Sequence, residues 1–127
     1  MTIYHIVLFK FKSLVPVEEV NAVCGSELAW IWKLVNTEQA CDRMLALKTN
    51  CKHPETQQEY VRTSIGGSNN SPEDAANGFT HAFISEFEND QARKYYLEKD
   101  PAHLEFVKSI EDILEKHQVV DLSPGVF

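Results

Sequence analysis

The chain has no surplus of positive charge: 12 Lys and Arg stand against 19 Asp and Glu, a formal net charge of -7 over 127 residues. Nucleic acid and anionic membranes both reward clustered Lys and Arg, so neither is expected as the main partner. Long apolar runs are also missing. The most apolar stretch, Leu28 to Val35, is interrupted by Lys33 and is far too short to span a bilayer. The start Met-Thr-Ile-Tyr-His-Ile-Val has neither a basic nor a long apolar segment and does not read as a signal peptide. Cysteine is scarce: Cys24, Cys41 and Cys51 form no CxxC pair, the pattern of free thiols in a reducing compartment. No HxH or HExxH occurs, and His53, His81, His103 and His117 lack ligand spacing, so no metal is expected. Gly66 to Gly78 is rich in turn formers but lacks the spacing of a phosphate loop. What these absences leave is a single soluble, cytoplasmic domain, 1–127, without nucleic acid or membrane partners.

What is present has a clear order. Ile3 to Phe11 alternates His5, Val7, Phe9 and Phe11 on one face with Tyr4, Ile6, Leu8 and Lys10 on the other. Both faces are largely apolar, which predicts a central strand. Pro16, Glu18 and Glu19 read as a helix start, and the helical pattern runs to about Leu47 with weak points at Gly25 and Asn36-Thr37. Within it Leu28-Ala29-Trp30-Ile31-Trp32 is apolar all round, more than one core face needs. Glu59 to Ile65 predicts a second strand, Phe79 to Phe87 a third, and Gln118 to Leu122 a fourth. Asn89 or Asp90 starts a short helix through Tyr95-Tyr96.

Asp100 and Pro101 are a cap and a first helical position, so a further helix starts there. His103, Phe106, Val107, Ile110, Leu114 and His117 then recur at helical spacing, which turns His103 inward. An inward imidazole is either a pocket acid or base or a core histidine satisfied by one hydrogen bond. The order β-α-β-β-α-β predicts an α+β, ferredoxin-like fold with a four-stranded antiparallel sheet and helices on one face. Its other face, read as carrying aromatics and histidines, would need a second subunit or a ligand to cover it.

Several stretches together resemble the stress-responsive dimeric A/B barrel (Dabb) family. They are Tyr4-His5-Ile6-Val7-Leu8-Phe9-Lys10-Phe11-Lys12, Gly78-Phe79-Thr80-His81-Ala82-Phe83 with Glu86-Phe87, Tyr95-Tyr96 to Asp100-Pro101-Ala102-His103, and Val119-Val120-Asp121. Leu45-Ala46-Leu47-Lys48 to Thr56-Gln57 looks like the fungal members. The resemblance implies a homodimer whose two sheets form one α+β barrel. Its enzyme relative, plant olivetolic acid cyclase, closes a linear polyketide by an aldol reaction without metal or cofactor. By that likeness His103 matches the catalytic histidine and Tyr96 approximates its partner. One extra residue separates tyrosine from proline here, so Tyr95 is the alternative. His5 and His81 match cavity histidines, and Val7, Phe9, Phe83, Phe106, Leu114 and Val119 match the cavity lining.

Two functions follow as expectations. One is a cofactor-free cyclase or lyase in which an imidazole takes a proton and a tyrosine hydroxyl holds the oxyanion of a small hydrophobic, polyketide-like molecule. The other is a non-catalytic stress-protective or ligand-binding homodimer. One departure from the family pattern is an atypical insertion around 21–39, which holds the Trp-rich block. It is an extended first helix, a helical hairpin across the dimer, or a translated intron.

Overall fold

Strand alternation in the first eleven residues organises the molecule. The computed structural model describes residues 1–12 and 26–127, and the side chains of 1–12 and 37–127. The expected helix start at Pro16, the break at Gly25, Cys24 and the first part of the insertion lie outside the described residues. Among the described residues the order is β1 (Ile3–Phe11), α1 (Ser26–Asn50), β2 (Thr63–Ser68), β3 (His81–Phe87), α2 (Asp90–Glu98), α3 (Pro101–Ile110) and β4 (Leu114–Leu122). The strands form one antiparallel sheet in the order β2-β3-β1-β4. This is the α+β ferredoxin-like fold, with β1 and β3 in the middle of the sheet.

Burial along β1 follows its period strictly. Ile3, His5, Val7, Phe9 and Phe11 are buried, and the residues between them are half-buried. Val7, Phe9 and Phe11 of this set meet Phe83 and Phe87 of β3, Ala40, Met44 and Leu47 of α1, and Phe106 and Ile110 of α3 in one core. Each such large apolar side chain stabilises the fold by roughly 1.5–3 kcal/mol when fully buried. His5, Phe9 and Phe11 of β1 and His81, Phe83 and Phe87 of β3 therefore lie beneath the helices, which corrects their expected place on the bare face. Of the aromatics in these two strands only Tyr4 shares parity with the bare-face residues. The middle of that bare face is aliphatic instead. Register aligns Ile65 with Ile84, Ile84 with Ile6, and Ile6 with Val120, one apolar row across all four strands.

Four other expectations need correcting. Asn36-Thr37 does not interrupt α1, which runs through it to Asn50; the helix packs on β2 and α3, and tertiary burial outweighs weak local propensity. The second strand is shifted to Thr63–Ser68 and takes in Gly66-Gly67, expected in a loop. The Phe83 ring explains Gly66: a Cβ there would lie 2.2 Å from it, so only glycine lets strand and ring approach. The third strand starts at His81 rather than Phe79. Lastly, α3 stops at Ile110, and Leu114 and His117 belong to β4. Their helical spacing with His103 is a coincidence of sequence: Leu114 is half-buried in the strand and His117 is exposed there.

Candidate functional site

The helix-covered side of the sheet is not completely filled. A cavity of about 540 Å³ lies between β1, β4, α2 and α3, with Met44 of α1 at its wall. Its floor is the buried face of β1, where strand period places His5, Val7 and Phe9 side by side. From β4 come Leu114, Val119 and Asp121, and from α3 His103 and Phe106. Tyr96 of α2 completes the polar set.

Local sequence rules put Tyr96 and His103 together. The Asn89 side chain accepts the Ala92 N–H at 2.9 Å and starts α2. Asp100 accepts the Ala102 N–H at 2.9 Å, and Pro101 occupies the first turn of α3. With only Lys99 and Asp100 between the helices, Tyr96 and His103 face one another. Their rings stack at 3.9 Å between centroids and 27° between planes. The Tyr96 hydroxyl and His103 Nδ1 are both buried and make no hydrogen bond among the described residues. Ser85 lies near the hydroxyl, and the Tyr96 backbone near the imidazole, without completing one. Each such unpaired group costs about 1–3 kcal/mol, so a pair of them at one cavity calls for a functional account.

Burial also sets their protonation. It brings His103 down to about 4; the Tyr96 backbone and Asp100 oppose this, and His5 adds to it. Burial likewise pushes the Tyr96 hydroxyl up, helped by Cys51 and Asp100. Near neutral pH the site therefore holds a neutral imidazole beside a protonated phenol, an acceptor next to a donor.

His5 is arranged differently. Its Nδ1 lies 2.7 Å from Asp121 Oδ1, and since a carboxylate only accepts, Nδ1 carries the proton. Arg93 donates from Nη1 to Asp121 Oδ2 at 3.0 Å and from Nη2 to Asp90 Oδ1 at 2.5 Å. The result is a held imidazole of fixed tautomer, with Nε2 left for other partners. The His5 ring lies edge-on to Tyr96, 6.0 Å between centroids.

The residues expected at the site divide as follows. His5, Val7, Phe9, Tyr96, His103, Phe106, Leu114 and Val119 line this one cavity. Tyr95 does not: it packs at 5.6 Å against Tyr60 and lines a separate recess of about 480 Å³. His81 and Phe83 line a third recess, of about 270 Å³, beside Cys41 and Gly66. There His81 meets the Phe11 ring at 5.1 Å and shares a 2.8 Å hydrogen bond with Thr80, and burial lowers its pKa. Sequence reasoning missed Asp121, Arg93 and Met44. Asp121 shares strand parity with Val119, a signal that was present, but only sheet register pairs it with His5. Among the described residues no cluster of His, Cys, Asp and Glu suits a metal ion. No helix among them is long and apolar enough to cross a membrane.

Among solved structures the chain is similar to At3g17210 from Arabidopsis thaliana, at 25% identity and a TM-score of 0.68, covering 98% of this chain and 97% of that one. A dimeric protein of unknown function and ferredoxin-like fold from Bacteroides fragilis is 27% identical with a TM-score of 0.64, covering 96% and 95%. The hydroxynitrile lyase of Passiflora edulis shares the fold at 22% identity and a TM-score of 0.69, covering 99% and 96%. No curated protein matches the sequence. The model of the Stress Responsive A/B Barrel Domain matches residues 3–124, and with nearly the whole length so matched the chain belongs to that family, Dabb.

Proposed function

We propose that the cavity binds a small hydrophobic, polyketide-like molecule, and that His103 and Tyr96 perform cofactor-free acid/base chemistry on it, of cyclase or lyase type. The observation that carries this reading is the stacked pair of buried, unpaired polar groups at the wall of an otherwise largely apolar cavity. The Tyr96 hydroxyl is a donor for a carbonyl or developing oxyanion, and the neutral His103 an acceptor for the proton beside it. Apolar walls would fold a flexible chain and keep water from the reacting carbons. The fold is one that also carries a lyase.

A second reading has its own observation. Burial leaves His103 with low proton affinity, which suits a hydrogen-bonding acceptor better than a strong base. On that reading the protein is a non-catalytic, ligand-binding or stress-protective homodimer.

In both readings the working unit is a homodimer closed over the bare sheet face. The row Ile65, Ile84, Ile6 and Val120 supports this, with Ile65 at 55% and Val120 at 48% exposure in the single chain. The Bacteroides relative is likewise described as dimeric.

Native mass spectrometry followed by denaturation tests all three statements. A dimer that releases an acyl or polyketide-like compound is expected, with uptake lost in His103→Ala and turnover lost in Tyr96→Phe. Binding without turnover selects the non-catalytic reading. A dimer that takes up no hydrophobic carbonyl compound sinks the cavity proposal, and a monomer sinks the dimer.

A further inference from the structure

Behind the Tyr96–His103 stack lies a buried polar cluster that the cavity itself does not use. Asp100 is 1% exposed and has no ion-pair partner among the described residues. Its Oδ1 accepts the Ala102 N–H, and its Oδ2 accepts the Tyr60 hydroxyl. The Cys51 thiol, wholly buried, lies against both Tyr60 and Asp100. Through its backbone Asp100 donates to the Tyr95 carbonyl at 2.9 Å and accepts from the Leu104 N–H at 3.0 Å. One residue thus ties the last turn of α2, the first turn of α3 and the segment before β2 together. Those two helices carry the stacked rings.

A cap alone does not require this arrangement. Ser or Asn caps a helix about as well as Asp, and a buried carboxylate is costly unless every lone pair is served. Here an acid stands at the cap, and Tyr60 and Cys51 come from outside the two helices to meet it. We propose that Asp100 is a positioning residue for His103: clamped by Tyr60 and Cys51, it sets the imidazole against Tyr96 and supplies a buried negative charge that stabilises the imidazolium formed when His103 takes a proton. The inference rests on the reading of the cavity as a place of proton transfer, but the geometry it invokes belongs to the free protein.

The groups facing His103 are few. Tyr96 meets it from α2, His5 from β1, and Asp100 from the junction, with Cys51 and Tyr60 behind. The other ionisable groups of the cavity are Glu111 just after α3 and Glu115, Lys116, His117 and Asp121 on β4. Burial and, less strongly, His5 oppose the charged imidazole, while the Tyr96 backbone favours it and Asp100 favours it as the smallest of the four influences.

Nitrogen-detected NMR of the His103 ring tests the proposal without any ligand. Asp100→Asn keeps the cap and removes the charge. The His103 midpoint lies at about 4 in the parent, and proton affinity in the variant is expected to fall about twofold to threefold, moving that midpoint lower. An unchanged midpoint in a folded variant overturns the electrostatic role. Should Asp100→Asn unfold in acid, Tyr60→Phe decides at pH 7: loss of the ring-current shift that Tyr96 imposes on the His103 signals is expected, with circular dichroism unchanged. Unmoved signals overturn the positioning role. Failure of the cavity to bind any hydrophobic compound would leave both measurements decidable.

Discussion

The two faces of the same sheet solve opposite problems with adjacent residues. On the helix-covered face, His5, Tyr96 and His103 sit in a core of phenylalanines, and polar groups are either held, as His5 is by Asp121, or left unpaired. On the bare face the Ile65–Ile84–Ile6–Val120 row has no polar atom to satisfy and is left half-exposed. The first face keeps unpaired polar groups, which suits chemistry or ligand recognition. The second keeps apolar surface in water, which suits association. The lesson is that an unmet need of each kind points to a different sort of partner.

The comparison breaks most visibly when the covered face is emptied. Phe87 is fully buried, packing on Tyr96 at 4.9 Å, and Phe87→Ala is expected to cost about 3–5 kcal/mol in denaturant unfolding. Next comes acid. His103 has a lower pKa folded, about 4, than its ordinary value of 6.5. The unfolded chain therefore binds the proton first, and stability is full above pH 6.5 and lost as pH falls towards 4. The loss is about 2 kcal/mol after discounting for partial exposure, and His103→Gln should remove it; urea midpoints of parent and variant at pH 7 and 4.5 measure the difference.

Tyr96→Phe sharpens the contrast further, because it removes a buried hydroxyl that has no partner. Stability is expected to rise by about 1 kcal/mol in thermal unfolding while ligand turnover is lost. An unpaired group kept for packing alone would give no such opposition. The smallest effect belongs to the bare face. Ile65→Thr should change the unfolding free energy of the single chain by no more than about 0.5 kcal/mol, yet weaken the dimer in light scattering across a dilution series.

Much of this is legible in the amino-acid sequence. The alternation of β1 and the Asp100-Pro101 start are short-range signals, and they appear in the structure as the sequence rules predict. Errors arose where two periods agree by chance, as at Leu114 and His117, or where a distant ring decides, as Phe83 does for Gly66. For the candidate site, the likeness to the family pointed to His103 and left Tyr95 and Tyr96 open. Helix α2 turns Tyr96 towards His103 and Tyr95 towards Tyr60, a choice made by the orientation of one helix.

By itself the sequence determined the element order, the capped helix that bears His103, and the strand whose alternate residues build the cavity floor. These depend on φ/ψ preferences and side-chain period, which act over a few residues. Only the tertiary structure decided which face of the sheet the helices cover, that Asp121 meets His5 across 116 positions, and that Asp100 is clamped by Tyr60 across 40. Such pairings come from sheet register and helix docking, and no local energy term carries them.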